Sequence, residues 1–154
     1  MPNEKPPRNG PSGATSLGML TSLLGYHLRR AQVSAFQNFA EVVGPSELTP
    51  GQFGVLVVVD ANPGLSQTQL GNALGIDRST VVAVIDRLES RGLLTREPSP
   101  NDRRSHALHL SRAGAEALTR LSERVRAHEQ TIARDLTTEE QASLIALLRK
   151  VARD

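Results

Sequence analysis

The stretch Leu65–Leu110, LSQTQLGNALGIDRSTVVAVIDRLESRGLLTREPSPNDRRSHALHL, decides the fold. Ser66 followed by Gln69 is a capping box, so a short helix starts there, with Leu70, Ala73 and Leu74 on its apolar face and Gly75 as its stop. Ile76 fills the turn, and Asp77 caps a second helix whose buried face is Val81, Val84, Ile85 and Leu88, ended by Gly92. Leu93–Arg96 and His106–Leu110 read as two strands, and the turn-rich, charged PSPNDRRS between them makes a hairpin. Two helices joined by a tight turn, then a hairpin with an Arg-rich tip, is the order of a winged helix-turn-helix.

Outward from this segment the chain is helical. Thr49 caps a helix with Pro50 at its first position and Phe53, Leu56 and Val57 within it, closed by Asn62-Pro63-Gly64. Ser16–Val43 carries Leu17, Leu20, Leu24, Leu28, Ala31, Ala35, Phe39 and Val42 at helical spacing, which predicts one continuous helix roughly 40 Å long. Beyond the hairpin, Ser111 caps a helix with Leu118, Leu121, Val125, His128 and Ile132. Thr137 with Glu140 opens a last one, lined by Leu144, Leu147, Leu148 and Val151. The expected architecture is mainly α with a small β-hairpin wing. It comprises a single domain over 16–154, a winged core over 48–110, and long flanking helices over 16–43 and 111–154. Those terminal helices would leave large apolar faces exposed in a monomer, so they are expected to pair two chains. Residues 1–15, rich in Pro, Gly, Asn and Ser, are expected to form a disordered tail.

Composition narrows the function without naming it. The 154 residues suit one domain, and with only 3% aromatics the core must be Leu, Val, Ile and Ala, which favours helix packed on helix. Net charge is only +2, and Lys occurs only at Lys5 and Lys150. The Arg excess suits phosphate contact but equally fits a GC-rich genome, so placement of charge must carry the argument. With no Cys there is no disulfide, thiol sensor or Cys-ligated zinc. His106 and His109 fall on opposite faces of a strand, and no metal or cofactor is expected. No run is long and apolar enough to span a bilayer, and MPNEKPPRNGPSGATS has no signal-peptide core, so a cytoplasmic location is expected. Neither a Gly-rich phosphate loop, a His-Glu metal motif nor a nucleophile elbow is present, so no enzyme is expected.

Placement of charge points to DNA. A helix in the major groove presents its N-terminal side chains to base edges; here these are Arg78, Ser79 and Thr80, with Val82, Ala83 and Asp86 further along the face opposite Val81, Ile85 and Leu88. Ser79 and Thr80 can hydrogen-bond phosphates or bases, and Val82 can touch a thymine methyl. Gln67 and Gln69 sit where a preceding helix meets the flanking backbone. By itself this face reads equally as an ordinary polar helix surface. The hairpin adds Asp102, Arg103 and Arg104 at its tip, where a purely structural hairpin favours Asn-Gly. Paired arginines on a projecting loop suit the negative potential of a narrow minor groove, and Arg96 on the leading strand has the reach for a phosphate.

The segment GLSQTQLGNALGIDRSTVVAVIDRLESRGLLTREPSPNDRRSHALHLSRAG resembles the central region of the multiple-antibiotic-resistance regulator (MarR) family of repressors. Asp102 and Arg104 match the family's Asp-x-Arg wing motif, and RLESRGL and LSRAG match its flanks; the resemblance covers about Leu48 to Leu118. It implies a homodimer on a palindromic operator in double-stranded DNA, Arg104 in the minor groove, and Asp102 paired with Arg87 so that the wing is held against the recognition helix. It also implies a small aromatic, anionic effector between the terminal helices and the DNA lobe. Tyr26, His27, Arg29 and Arg30 offer stacking and carboxylate-pairing groups for an aromatic acid or its CoA thioester, although the same residues read equally as a solvated face or as partners for a second chain. The expectation is a repressor released by that effector, with activation as the opposite sign. The competing reading is a winged-helix protein-interaction module without DNA binding, in which the arginines are ordinary surface charges.

Overall fold

A computed structural model describes residues 15–44, 47–98 and 106–153. The order is a 3₁₀ turn (Gly18–Ser22), α1 (Leu24–Val43), α2 (Pro50–Ala61), α3 (Gln67–Leu74), α4 (Arg78–Ser90), β1 (Leu94–Pro98), β2 (His106–Leu110), α5 (Arg112–Ile132) and α6 (Thr138–Ala152). Contacts divide the chain into a smaller unit ending at Val33 and a larger one that begins at Ser34. The tail expected over 1–15 lies, but for Thr15, outside the described residues.

In the smaller unit the expected single helix from Ser16 is broken. Gly18 takes φ 53° and Leu23 is extended, with the 3₁₀ turn between them. The Thr21 hydroxyl donates to the Gly18 carbonyl (3.2 Å) and Ser22 to Met19 (2.9 Å), so local side-chain bonds compete with helical continuation. Ser16 does not cap a helix: its hydroxyl accepts from Gly18 N at 3.3 Å, while Leu17 holds the N-cap position of the 3₁₀ turn. The helix proper is 20 residues, about 30 Å rather than 40 Å.

In the larger unit the capping chemistry sets where the helices start. Thr49–Gln52, Ser66–Gln69 and Thr137–Glu140 each form a reciprocal capping box, and Ser111 accepts from Gly114 N. Asp77 starts α4: its carboxylate accepts from Thr80 N at 3.0 Å, from the Thr80 hydroxyl at 2.6 Å and from the Ser79 hydroxyl. Leu56, Leu70, Ile85, Leu88, Leu94, Leu108 and Leu121 meet in one fully buried cluster, so α2, α3, α4, the hairpin and α5 share a core. β1 and β2 are antiparallel with Leu94 opposite Leu110 and Arg96 opposite Leu108. The β2 edge is also bonded to the loop before α3, through Gly64 N to Leu108 O (2.8 Å) and Leu108 N to Leu65 O (3.0 Å). β1 runs to Pro98, slightly further than the expected Arg96.

The N-terminus of α5 lies against the turn that joins α4 to β1. Ser111 donates from its hydroxyl to Gly92 O (2.6 Å) and from its backbone to Leu93 O (3.1 Å). A Cβ on Gly114 would stand 2.0 Å from Leu93 O, a backbone atom that cannot rotate away. By contrast α6 buries none of its residues, and Leu144, Ile145, Leu147, Leu148 and Val151 stay exposed. No helix among the described residues is long and apolar enough to cross a membrane.

Gly114→Ala is therefore expected to destabilise the fold by about 1–3 kcal/mol, read as a lower midpoint in chemical denaturation. Gly51→Ala, whose added Cβ meets nothing within 4 Å, should leave the midpoint unchanged or raise it slightly. A second expectation concerns acid. The Ser79 and Thr80 hydroxyls, with Thr80 N, hold the Asp77 carboxyl well below its ordinary value of 3.8. The folded state thus favours the ionised form, so this stabilisation is complete above the ordinary value and is lost as pH falls below it. The stability gap between wild type and Asp77→Asn should stay constant from about pH 7 to pH 5 and narrow below about pH 4; thermal unfolding across that range measures it.

Candidate nucleic-acid interface

Helix α4 is divided lengthwise. Val81, Ile85 and Leu88 are buried in the core, which turns Arg78, Ser79, Thr80, Ala83, Asp86 and Arg87 to the exposed side, with Val82 half-buried at the margin. Helix α3 can pack closely behind α4 because Gly71 has no side chain: a Cβ there would lie 3.1 Å from both Ile76 O and Val81 Cγ2. The small residues Ser79, Thr80 and Ala83 leave the exposed face low in profile, as a helix that seats in a groove requires. Ser79 and Thr80 are not idle donors, however. Both hydroxyl hydrogens are directed to Asp77, so for a phosphate or base acceptor they must first leave that carboxylate, while their lone pairs remain available to base donors.

Two further positions are more constrained than their sequence suggested. The Gln69 carboxamide oxygen accepts from Ser66 N at 2.8 Å, leaving its NH₂ as the group for contact. Arg96, expected to reach outward to phosphate, instead turns back onto α4: its guanidinium pairs with Asp86 and, at 2.5 Å, with Glu89, and its side chain is only 20% exposed. The reason is tertiary. β1 folds against the C-terminal half of α4, bringing two carboxylates one helical turn apart within reach of the fork. Arg96 thereby braces the hairpin on the recognition helix. Glu89 and its pairing with Arg96 were not anticipated; the Asp86–Glu89 spacing was the available signal.

Gln67 and Arg78 meet across a cleft between the start of α3 and the start of α4, together with Ser66, Asn72 and, from β2, His106. Asp102, Arg103 and Arg104, and with them the expected Asp102–Arg87 pair, lie outside the described residues.

The expected effector residues share the first turns of α1. Tyr26 is half-buried; His27, Arg29 and Arg30 are exposed. The Tyr26 and His27 rings meet edge to face at 5.4 Å, and the Arg30 guanidinium lies 5.8 Å from the centre of the Tyr26 ring. His27 Nε2 is 2.8 Å from Thr21 O, so that nitrogen donates to the carbonyl. His128 is buried on α5, with Nδ1 2.8 Å from Asn38 Oδ1 and its ring edge-on to Phe39, which is the role of a core histidine.

The comparisons agree with this geometry. The MarR family model matches residues 46–105. A protein of Thauera aromatica, described as a transcriptional regulatory protein for the hcr operon, is 42% identical over 137 residues, covering 88% of this chain and 82% of its own. The multiple antibiotic resistance protein MarR of Escherichia coli K12 is 30% identical over 112 residues, covering 72% of this chain and 78% of its own. Among solved structures, the transcriptional repressor CouR superposes in its complex with a 23-mer DNA duplex with a TM-score of 0.84 at 42% identity, over 91% of this chain and 99% of that one. Its complex with p-coumaroyl-CoA superposes with a TM-score of 0.83 at 40% identity, over 92% and 99%. Fold, hairpin and relatives together set aside the protein-interaction reading, and the chain belongs to the MarR family of transcriptional regulators.

Proposed function

We propose that two copies of this chain form a repressor that grips a palindromic operator and is released by an aromatic acid presented as its CoA thioester. The observation that carries the DNA reading is the division of α4: one face locked in the core, the other low, polar and exposed, with a hairpin braced beside it by Arg96. In this reading Gln67, Gln69, Arg78, Ser79, Thr80, Val82, Ala83 and Arg87 face the major groove and its flanking phosphates. Asp102, Arg103 and Arg104 form the wing, and Arg96 acts through the hairpin rather than on DNA. The exposed apolar side chains of α6 supply the surface on which the two chains close. Two-fold symmetry then sets half-sites about one helical turn apart.

The effector is assigned to the start of α1, where Tyr26 and His27 offer ring faces and edges, and Arg29 and Arg30 offer charge to a carboxylate or to the phosphates of CoA. CouR, solved with p-coumaroyl-CoA, supports a thioester, and BpsR of Bordetella bronchiseptica, whose DNA binding is regulated by 6-hydroxynicotinic acid, supports the free acid as the alternative. Repression and release are linked because DNA needs both recognition helices at one spacing. A ligand that binds a different spacing better lowers operator affinity by that differential and no more. No catalytic step belongs to this reading.

Fluorescence anisotropy on duplex DNA from the region upstream of the chain's own gene, against scrambled duplex and across a salt series, tests it. Selective, steeply salt-dependent binding is expected; equal weak binding to both duplexes at every salt concentration counts against a local operator. Arg104→Ala should weaken binding by about 1–3 kcal/mol and lower the salt slope by about one. Arg96→Ala should also weaken binding, but with the salt slope unchanged, because its partners are carboxylates of the protein. Arg29→Ala should leave operator binding intact and blunt release by p-coumaroyl-CoA; release at the wild-type concentration would move the effector site away from α1.

A further inference from the structure

The cleft between α3, α4 and β2 has a lining of one chemical sign. Ser66, Gln67 and Asn72 come from α3 and its cap, Arg78 from the first position of α4, and His106 from the first position of β2. Among the described residues, the ionisable side chains of its lining are Arg78 and His106, both basic; Asp77, between the lining residues Ile76 and Arg78, has its carboxylate turned to the hydroxyls of Ser79 and Thr80. This selectivity is notable in a chain with 16 acidic residues. Helix α3 carries no charged residue at all. The nearest acid on the strand paired with β2, Glu97, sits opposite Ala107, with its carboxylate 3.9 Å from His109 and not in the cleft. Opposite His106 itself is Pro98, which brings neither charge nor a backbone donor. The adjoining Asp102, Arg103 and Arg104 are the other charged groups near this end of the hairpin in sequence.

From this arrangement we infer that the cleft holds a backbone phosphate of the operator, with His106 as a proton-taking contact beside Arg78. The inference rests on the reading of this face as the DNA-binding one. The physical consequence is linkage. A phosphate between His106 and Arg78 favours the charged ring over the neutral one. Binding DNA therefore takes up a proton at each half-site, and operator affinity falls as pH rises through the ordinary histidine range. His106 sits at the loop end of the hairpin and Arg78 at the start of α4, so one phosphate ties hairpin and helix together at a point separate from the Arg96 brace.

The test is operator affinity at constant ionic strength from about pH 6 to about pH 8, for wild type, His106→Gln and His106→Arg. The wild type should lose about tenfold more affinity over this range than His106→Gln. His106→Arg, charged throughout, should bind at the upper pH as the wild type does at the lower. Duplexes with a single neutral methylphosphonate at successive positions locate the contact: one position should penalise the wild type and not His106→Gln. If His106→Gln keeps the wild-type pH slope and methylphosphonate profile, the inference fails while the DNA reading stands. If wild type binds no duplex, the DNA reading fails and takes this one with it. If inorganic phosphate shifts the His106 ring resonances saturably while His106→Gln binds operator as wild type does, the cleft serves a free anion and the operator assignment is overturned.

Discussion

The peptide of Leu93 is the point on which this fold turns. Its N–H closes the end of α4 by bonding Leu88 O at 2.9 Å, its carbonyl receives Ser111 N at 3.1 Å, and the Cα of Gly114 passes so close that no other residue fits. Gly92, at φ 69°, makes the turn possible by taking the left-handed conformation that ends α4. The backbone of one residue thus joins α4, the strand that starts the hairpin and the helix that leads away toward α6. A shift of α5 cannot leave α4 and β1 where they were.

A second set of contacts fastens the same end of α4, and α5 beside it. Arg91, at the end of α4, donates to Glu47 O at 3.1 Å, and Arg124 on α5 donates to Val43 O, the last carbonyl of α1, at 2.9 Å. Guanidinium groups are well suited to this, since each satisfies a helix-end or loop carbonyl that has no partner of its own. Much of the Arg content therefore serves the protein's own backbone and carboxylates. Arg91, Arg96 and Arg124 are structural, and a count of basic residues would have credited all three to nucleic acid.

The elements were largely legible in the primary structure because their ends are written in local chemistry. Capping boxes at Ser66 and Thr137, the Asp77 cap, Pro50 at a first helical turn and Gly75 and Gly92 at the stops act within a few residues, and the helices start and end at these signals. The first helix was misjudged for the same reason: its apolar spacing runs through Leu17 and Leu20, but Gly18 and the hydroxyls of Thr21 and Ser22 offer closer bonds than a helix does. Arg96 was misjudged for a different one. Its partners are seven and ten residues away on another element, a pairing that no local rule encodes.

What the amino-acid order determined alone, then, is the run of elements from α2 to α5, their buried faces and the family, because caps, periodicity and turn residues are short-range. What only the tertiary structure decided is which polar side chains remain available. Ser79 and Thr80 are engaged with Asp77, Gln69 with its own cap and Arg96 with α4, while Gln67, Arg78 and His106 are brought from three separate elements to one cleft. Hydrogen-bond and ion-pair capacity is finite and is first claimed by whatever folding brings within reach, so the groups left for a ligand are known only once the chain has closed on itself.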